Sequence, residues 1–123
     1  MSKDPMFLAP VVHIEVGDVN GSGIESYITG GKKGIIALAA HWCAHCKNME
    51  QAYTQFAKEG KFFAGVIQQD GEEKEALEVF KKVNGVSANG FPSFAGVSAD
   101  GKFVKMHNGG RSVEDFNKFA ESL

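Results

Sequence analysis

His41-Trp42-Cys43-Ala44-His45-Cys46-Lys47 decides how this chain is read. The stretch holds the only tryptophan and the only two cysteines of the 123 residues. Before it runs Ile35 to Ala40, apolar throughout; after it, Met49, Ala52, Tyr53 and Phe56 recur at the spacing of one helix face. A strand that ends at C-x-x-C and turns into a helix points to a thiol–disulfide redox site. The first backbone N–H groups of a helix are unpaired, and the helix dipole favours negative charge there. A cysteine at that point loses its proton more readily, and the thiolate is the nucleophile. The second cysteine, one turn on, can close a disulfide with the first.

Composition narrows the function classes. The length suits one domain with a single core. A net charge of −2 argues against a nucleic-acid or membrane-surface role. No apolar run approaches the ~20 residues of a membrane span. There is no charge block, low-complexity tract or internal repeat. The ten phenylalanines are expected in the core. Both cysteines fall in one motif, so no second disulfide can form within the chain. The opening residues lack the apolar region of a signal peptide, which fits a cytoplasmic protein; the secretory pathway or periplasm is the alternative, if a signal has been removed. A zinc site would need two further ligands, and no second C-x-x-C exists. No metal or cofactor is expected.

Outward from the motif, residues 1–10 are expected to form a loose arm, with 11–123 as the domain. Val11 to Val16 reads as a strand, Gly17 to Gly23 as a turn, and Ile24, Tyr27 and Ile28 as a short helix ended by Gly30-Gly31. Ile35 to Ala40, apolar on both faces, suggests a central strand covered on both sides. The motif helix runs to about Glu59. Phe62 to Ile67 is the next strand and Asp70-Gly71 a turn. A helix follows with Ala76, Leu77, Phe80 and Val83 on one face and Glu72, Glu73 and Glu75 in its first turn. After Phe91-Pro92 come a strand to Val97, the hairpin signal Asp100-Gly101 and a return strand from Phe103 to His107. Ser112-Val113-Glu114-Asp115 resembles a capping box opening a terminal helix. The predicted architecture is α/β: a central mixed sheet of about five strands, the last two antiparallel, flanked by four helices.

This element order, Trp42-Cys43-Ala44-His45-Cys46-Lys47 and Phe91-Pro92 together resemble the thioredoxin superfamily. His45 between the cysteines, the aromatic before Pro92 and His107-Asn108-Gly109-Gly110-Arg111 look closer to the catalytic domains of protein disulfide isomerase. The resemblance covers about residues 11–123. It implies a thioredoxin fold, Cys43 as nucleophile and Cys46 as the more buried resolving thiol. Pro92 is expected in cis, facing the dithiol. Trp42, Ala44, Phe91 and Pro92 would touch substrate. His45 would favour the Cys43 thiolate and make the disulfide more oxidising. Arg111 would help Cys46 ionise.

Four departures stand out. Ala37 occupies the position, six before the first cysteine, where these families usually carry a buried acid. Ala44 replaces glycine, Ser93 follows the proline in place of threonine, and two extra residues fall around Ser87 to Asn89. Cys43 is expected to be partly exposed, and Lys47 and His41 to be solvated. The expected activity is thiol–disulfide exchange on protein cysteines by a monomer, serving cell redox homeostasis. Its partners would be cysteine-containing clients and a recycling thiol reductant or oxidant. The rival reading is a thioredoxin-like client-binding module with weak turnover.

Overall fold

The structure is a computed structural model, and it describes residues 6–70, 74–86 and 90–123. Gly71, Glu72, Glu73 and the insertion expected at Ser87 to Asn89 lie outside the described residues, as do residues 1–5.

Strand β4 (Gly34–Ala39) is buried along its whole length. It pairs in parallel with β5 (Phe63–Gln68) and antiparallel with β6 (Ser93–Val97), with Ala37 opposite Val66 on one side and Phe94 on the other. β1 (Val12–His13) extends the sheet beyond β5 in parallel, and β7 (Phe103–Met106) pairs antiparallel with β6. The five-stranded order is therefore β1-β5-β4-β6-β7. Helices cover both faces, so β4 has no solvent side, and this is why its sequence is apolar without alternation.

Alternation reappears in where the side chains go. Ile35, Ala37 and Ala39 join the cluster that holds α1 (Ala44–Lys58) and α3 (Val113–Glu121). Ile36 and Leu38 join the opposite cluster, with Leu77 and Phe80 of α2 (Lys74–Asn84). On the α1–α3 side the strand residues include alanines, and aromatic rings fill the layer. Tyr53 meets Phe116 edge-on at 5.3 Å between centroids, and Phe94 lies 4.9 Å from Phe116. The fully buried Tyr53 hydroxyl lies 2.7 Å from the Gly65 carbonyl and 3.0 Å from that of Ile35, so it donates onto the β4–β5 backbone. Most phenylalanines are core residues, as their number suggests.

Three expectations change. Ile24 to Ile28 is not a helix: Gly23–Ile24 forms β3, paired with β2 (Val19–Asn20), and Ser26–Ile28 makes a single 3-10 turn. The reason is Gly23, where an added Cβ would lie 2.2 Å from the Gly101 carbonyl. With no Cβ there, the backbone bridges to Lys102 and the Ile24 amide donates to the Gly101 carbonyl, so the segment pairs rather than coils. The sheet thus carries three α-helices among the described residues, not four. The first strand shrinks to Val12–His13, and Val16–Asp18 turns as a second 3-10 segment. Val83, expected on the apolar face of α2, is 46% exposed. The capping box at α3 is present: Ser112 Oγ accepts from the Asp115 amide, and the Asp115 carboxylate accepts from Ser112 N–H.

Residues 6–10, part of the arm expected to be loose, include residues tied to the domain. Phe7 is 2% exposed, with its ring edge-on to Tyr53 at 5.5 Å. The Met6 amide donates to Gln68 Oε1 at 2.9 Å. Truncating a buried ring of this kind costs about 3 kcal/mol or more. Phe7→Ala should therefore lower the stability of the protein by about that amount in urea denaturation. A loss below ~0.5 kcal/mol, the range of ordinary surface substitutions, would mean that the segment is not part of the core.

Candidate functional site

The chain leaves β4 at Ala39 and reaches α1 through Ala40, His41 and Trp42. Two polar contacts from the end of β5 hold this connection. The His41 amide donates to both carboxylate oxygens of Asp70, at 3.1 and 3.0 Å. The Trp42 indole N–H donates to Gln69 Oε1 at 3.0 Å. Neither partner was singled out in the sequence, because each lies more than 25 residues from the group it holds; Asp70 showed only as half of a turn signal.

Cys43 is the N-cap of α1, with extended backbone (φ −91°, ψ 113°). Its sulfur does what a serine or aspartate oxygen does at other helix starts: it accepts the Cys46 N–H, at 3.2 Å. The Cys43 thiol in turn donates to the Phe91 carbonyl at 3.2 Å. The Phe91–Pro92 peptide is cis. Both cysteines are free thiols.

The two thiols are buried to different degrees. Cys43 is 6% exposed and Cys46 0%. Cys43 is thus less open than expected, because its sulfur turns inward to the Cys46 amide and the Phe91 carbonyl. Burial pushes the Cys46 thiol up to about 12, helped by its hydrogen bond with Cys43; a backbone hydrogen bond at Ala40 and, to a lesser degree, the positive charge of Arg111 pull the other way. Ala37 is fully buried in the same cluster as both cysteines. An alanine methyl stands there, with no carboxylate to take a proton.

Trp42 is not a core indole. It is 65% exposed and meets Phe91 edge-on at 5.7 Å. Ala44, His45 and Lys47 are exposed in the first turn of α1, and His41 is half-buried. A groove of about 430 Å³ runs from Phe91, Pro92 and Ser93 to His107, Gly109 and Arg111. The structure therefore gathers Cys43, Cys46, Trp42 and Phe91 into one place, and Arg111 lines the groove that Phe91 and Pro92 also line. Among the described residues, no group of three or more His, Cys, Asp or Glu could hold a metal ion.

A family model described as Thioredoxin matches residues 16–122. The protein disulfide-isomerase erp38 of Neurospora crassa is 32% identical over 110 residues, which is 85% of this chain and 28% of that protein. Protein disulfide-isomerase A4 of Bos taurus is 31% identical over 108 residues, 84% of this chain and 16% of that protein. The chain thus spans less than a third of the length of these curated relatives. Among solved structures, human ERp44 form II superposes with a TM-score of 0.68 at 13% identity, over 99% of this chain and 32% of that one. Thioredoxin f2 in complex with ferredoxin:thioredoxin reductase is represented by a match with a TM-score of 0.64 at 16% identity, covering 91% of this chain and 93% of that one. At these identities the two structures speak to the fold alone.

The sealed Cys46 has a measurable consequence. Its folded-state value is raised, so the stability it contributes is complete below the unfolded value, 9.0, and is lost as pH rises through about 12. In Cys43→Ser protein, thiolate absorbance at 240 nm should show Cys46 titrating well above the free value of 9.0. A midpoint near that free value would mean that Cys46 is open to water.

Proposed function

From the premise that this chain belongs to the thioredoxin family, we propose that it exchanges thiols and disulfides with protein clients through Cys43 and Cys46. The observation that carries this reading is the pairing of a helix-capping sulfur at Cys43 with a sealed thiol one turn below it. As a nucleophile Cys43 acts as a thiolate, with the Cys46 amide 3.2 Å away and the helix start placed to hold its charge. That thiolate attacks one sulfur of a client disulfide; the client S–S bond breaks, a Cys43–client bond forms, and the other client sulfur leaves and takes up a proton. Cys46 then gives up its proton and attacks Cys43. The Cys43–client bond breaks, the Cys43–Cys46 bond forms, and the second client sulfur leaves as a thiolate. The client gains two electrons and the dithiol loses them; run backwards, the same steps donate a disulfide.

The remaining residues take roles around these steps. Phe91 and Pro92, with Trp42 beside them and Ala44 in the exposed first turn of α1, meet the client as an extended segment. His45, exposed in that same turn, stabilises the Cys43 thiolate and so makes the disulfide more oxidising. Arg111 favours the ionised form of Cys46 as it attacks. With alanine at 37, water takes the Cys46 proton that a buried carboxylate would otherwise accept, and the Arg111 charge favours the thiolate left behind. No cofactor beyond the dithiol is needed, and the acting unit is a monomer that a thiol reductant or oxidant recycles. The likeness to protein disulfide-isomerases supports the secretory-pathway alternative over the cytoplasmic one, since disulfides persist in oxidising compartments. Ala37 also favours a second reading, a client-binding module whose resolving step is slow; insulin-reduction turnover measured beside client binding separates the two.

The roles of the two cysteines predict opposite behaviour on substitution. Cys46→Ser should accumulate mixed disulfides with reduced-and-reoxidised client protein, visible on non-reducing gels, and Cys43→Ser should accumulate none. Trapping by Cys43→Ser alone would reverse the assignment, and trapping by neither would remove thiol exchange as the function.

A further inference from the structure

His107 follows β7 and closes the sheet's last strand against α3. Its ring lies 4.7 Å from Phe119, 6.0 Å from Phe94 and 6.3 Å from Phe116, centroid to centroid. From this aromatic seat, Nε2 reaches 2.7 Å to the carbonyl of Gly110, the residue before Arg111. A carbonyl can only accept, so Nε2 carries the proton and donates it.

The backbone between them is packed against side chains at both glycines. A Cβ at Gly109 would stand 2.7 Å from Cε1 of His107, and one at Gly110 would stand 2.2 Å from Oδ2 of Asp115. Asp115 is itself fixed by the capping box with Ser112, the residue after Arg111. The loop is therefore held on both sides of Arg111: by His107 through the Gly110 carbonyl, and by Asp115 through Ser112. The capping box belongs to α3 and is the ordinary way to start a helix. The His107 contact closes the turn after β7 and also ties it to the ring layer that includes Phe94 of β6, the strand that follows Pro92.

We propose that His107 is a positioning residue for Arg111: its hydrogen bond to the Gly110 carbonyl holds the loop so that the guanidinium charge acts on Cys46 during the resolving step. This rests on the role given to Arg111 above. The favourable effect of the Arg111 charge on the Cys46 thiolate agrees with it. His107 touches neither sulfur and acts only through the loop.

The test isolates the resolving step in the full chain. The mixed disulfide of Cys43 with 2-nitro-5-thiobenzoate is prepared, and release of the coloured thiolate reports attack by Cys46 in a stopped-flow instrument. Arg111→Met should slow release about fivefold, as expected for removing one unit charge whose effect is partly screened by solvent. His107→Phe fills the same aromatic seat without a donor and should slow release to the same degree; His107→Leu is the second variant should the first fold poorly. His107→Gln, whose amide can still donate, should recover most of the rate. In the Arg111→Met background, His107→Phe should add nothing. The first attack by Cys43 on the reagent should be unchanged in the His107 variants. If His107→Phe releases at the wild-type rate while Arg111→Met is slow, Arg111 is placed without His107 and the proposal fails. If the two losses multiply, His107 acts by another route and the proposal fails equally. An unaffected Arg111→Met would overturn the role of Arg111 itself, and the positioning role with it.

Discussion

One hydrogen bond, from the Cys46 amide to the Cys43 sulfur at 3.2 Å, joins the fold to the chemistry. It sits where α1 must satisfy its first donors, so the helix start and the reactive sulfur share a single set of atoms. Everything upstream serves to bring Cys43 to that point. β4 is anchored on both sides by pairing with β5 and β6 and on both faces by apolar burial, each fully buried Ile or Leu contributing about 1.5–3 kcal/mol. The connection from β4 to α1 is then tied by Asp70 and Gln69. A thiol placed this way follows directly from the end of the fully buried central strand.

The same placement makes the two cysteines unequal. Cys43 faces the Phe91 carbonyl at the edge of the domain, and Cys46 lies beneath, wholly covered. Burial favours the neutral thiol at Cys46, which would slow the proposed step in which Cys46 attacks. A buried carboxylate at position 37 would ease that step by accepting the proton, at the cost of a desolvated acid in the central strand. With Ala37 the strand avoids that cost, and in the proposed exchange the positive charge of Arg111 favours the Cys46 thiolate.

Much of this was legible in the sequence, and the parts that were not share a physical cause. The central strand announced itself through six apolar residues in a row, the helix through its period, and the site through cysteines three apart at the junction. The α3 capping box was readable because its partners, Ser112 and Asp115, are local. Long-range contacts were not readable. Ile24, Tyr27 and Ile28 have helical spacing, yet the close approach of Gly23 to Gly101 makes them a strand and a 3-10 turn. Phe7 sits outside any periodic pattern and is buried because Tyr53, 46 positions away in the numbering, offers it a ring face. Gln69 and Asp70 show nothing in the sequence of the backbone and indole they hold. Trp42 stands exposed beside Phe91, with its indole N–H on Gln69.

The central claim is that Cys43 and Cys46 act as one reversible two-electron couple with an oxidising bias. It is tested most directly by equilibrating the protein in glutathione buffers of graded potential and reading the oxidised fraction by thiol alkylation. The account predicts a single two-electron transition that consumes both thiols together, lying above about −270 mV and towards about −180 mV. A transition at or below about −270 mV, or two thiols that oxidise independently of each other, would contradict it.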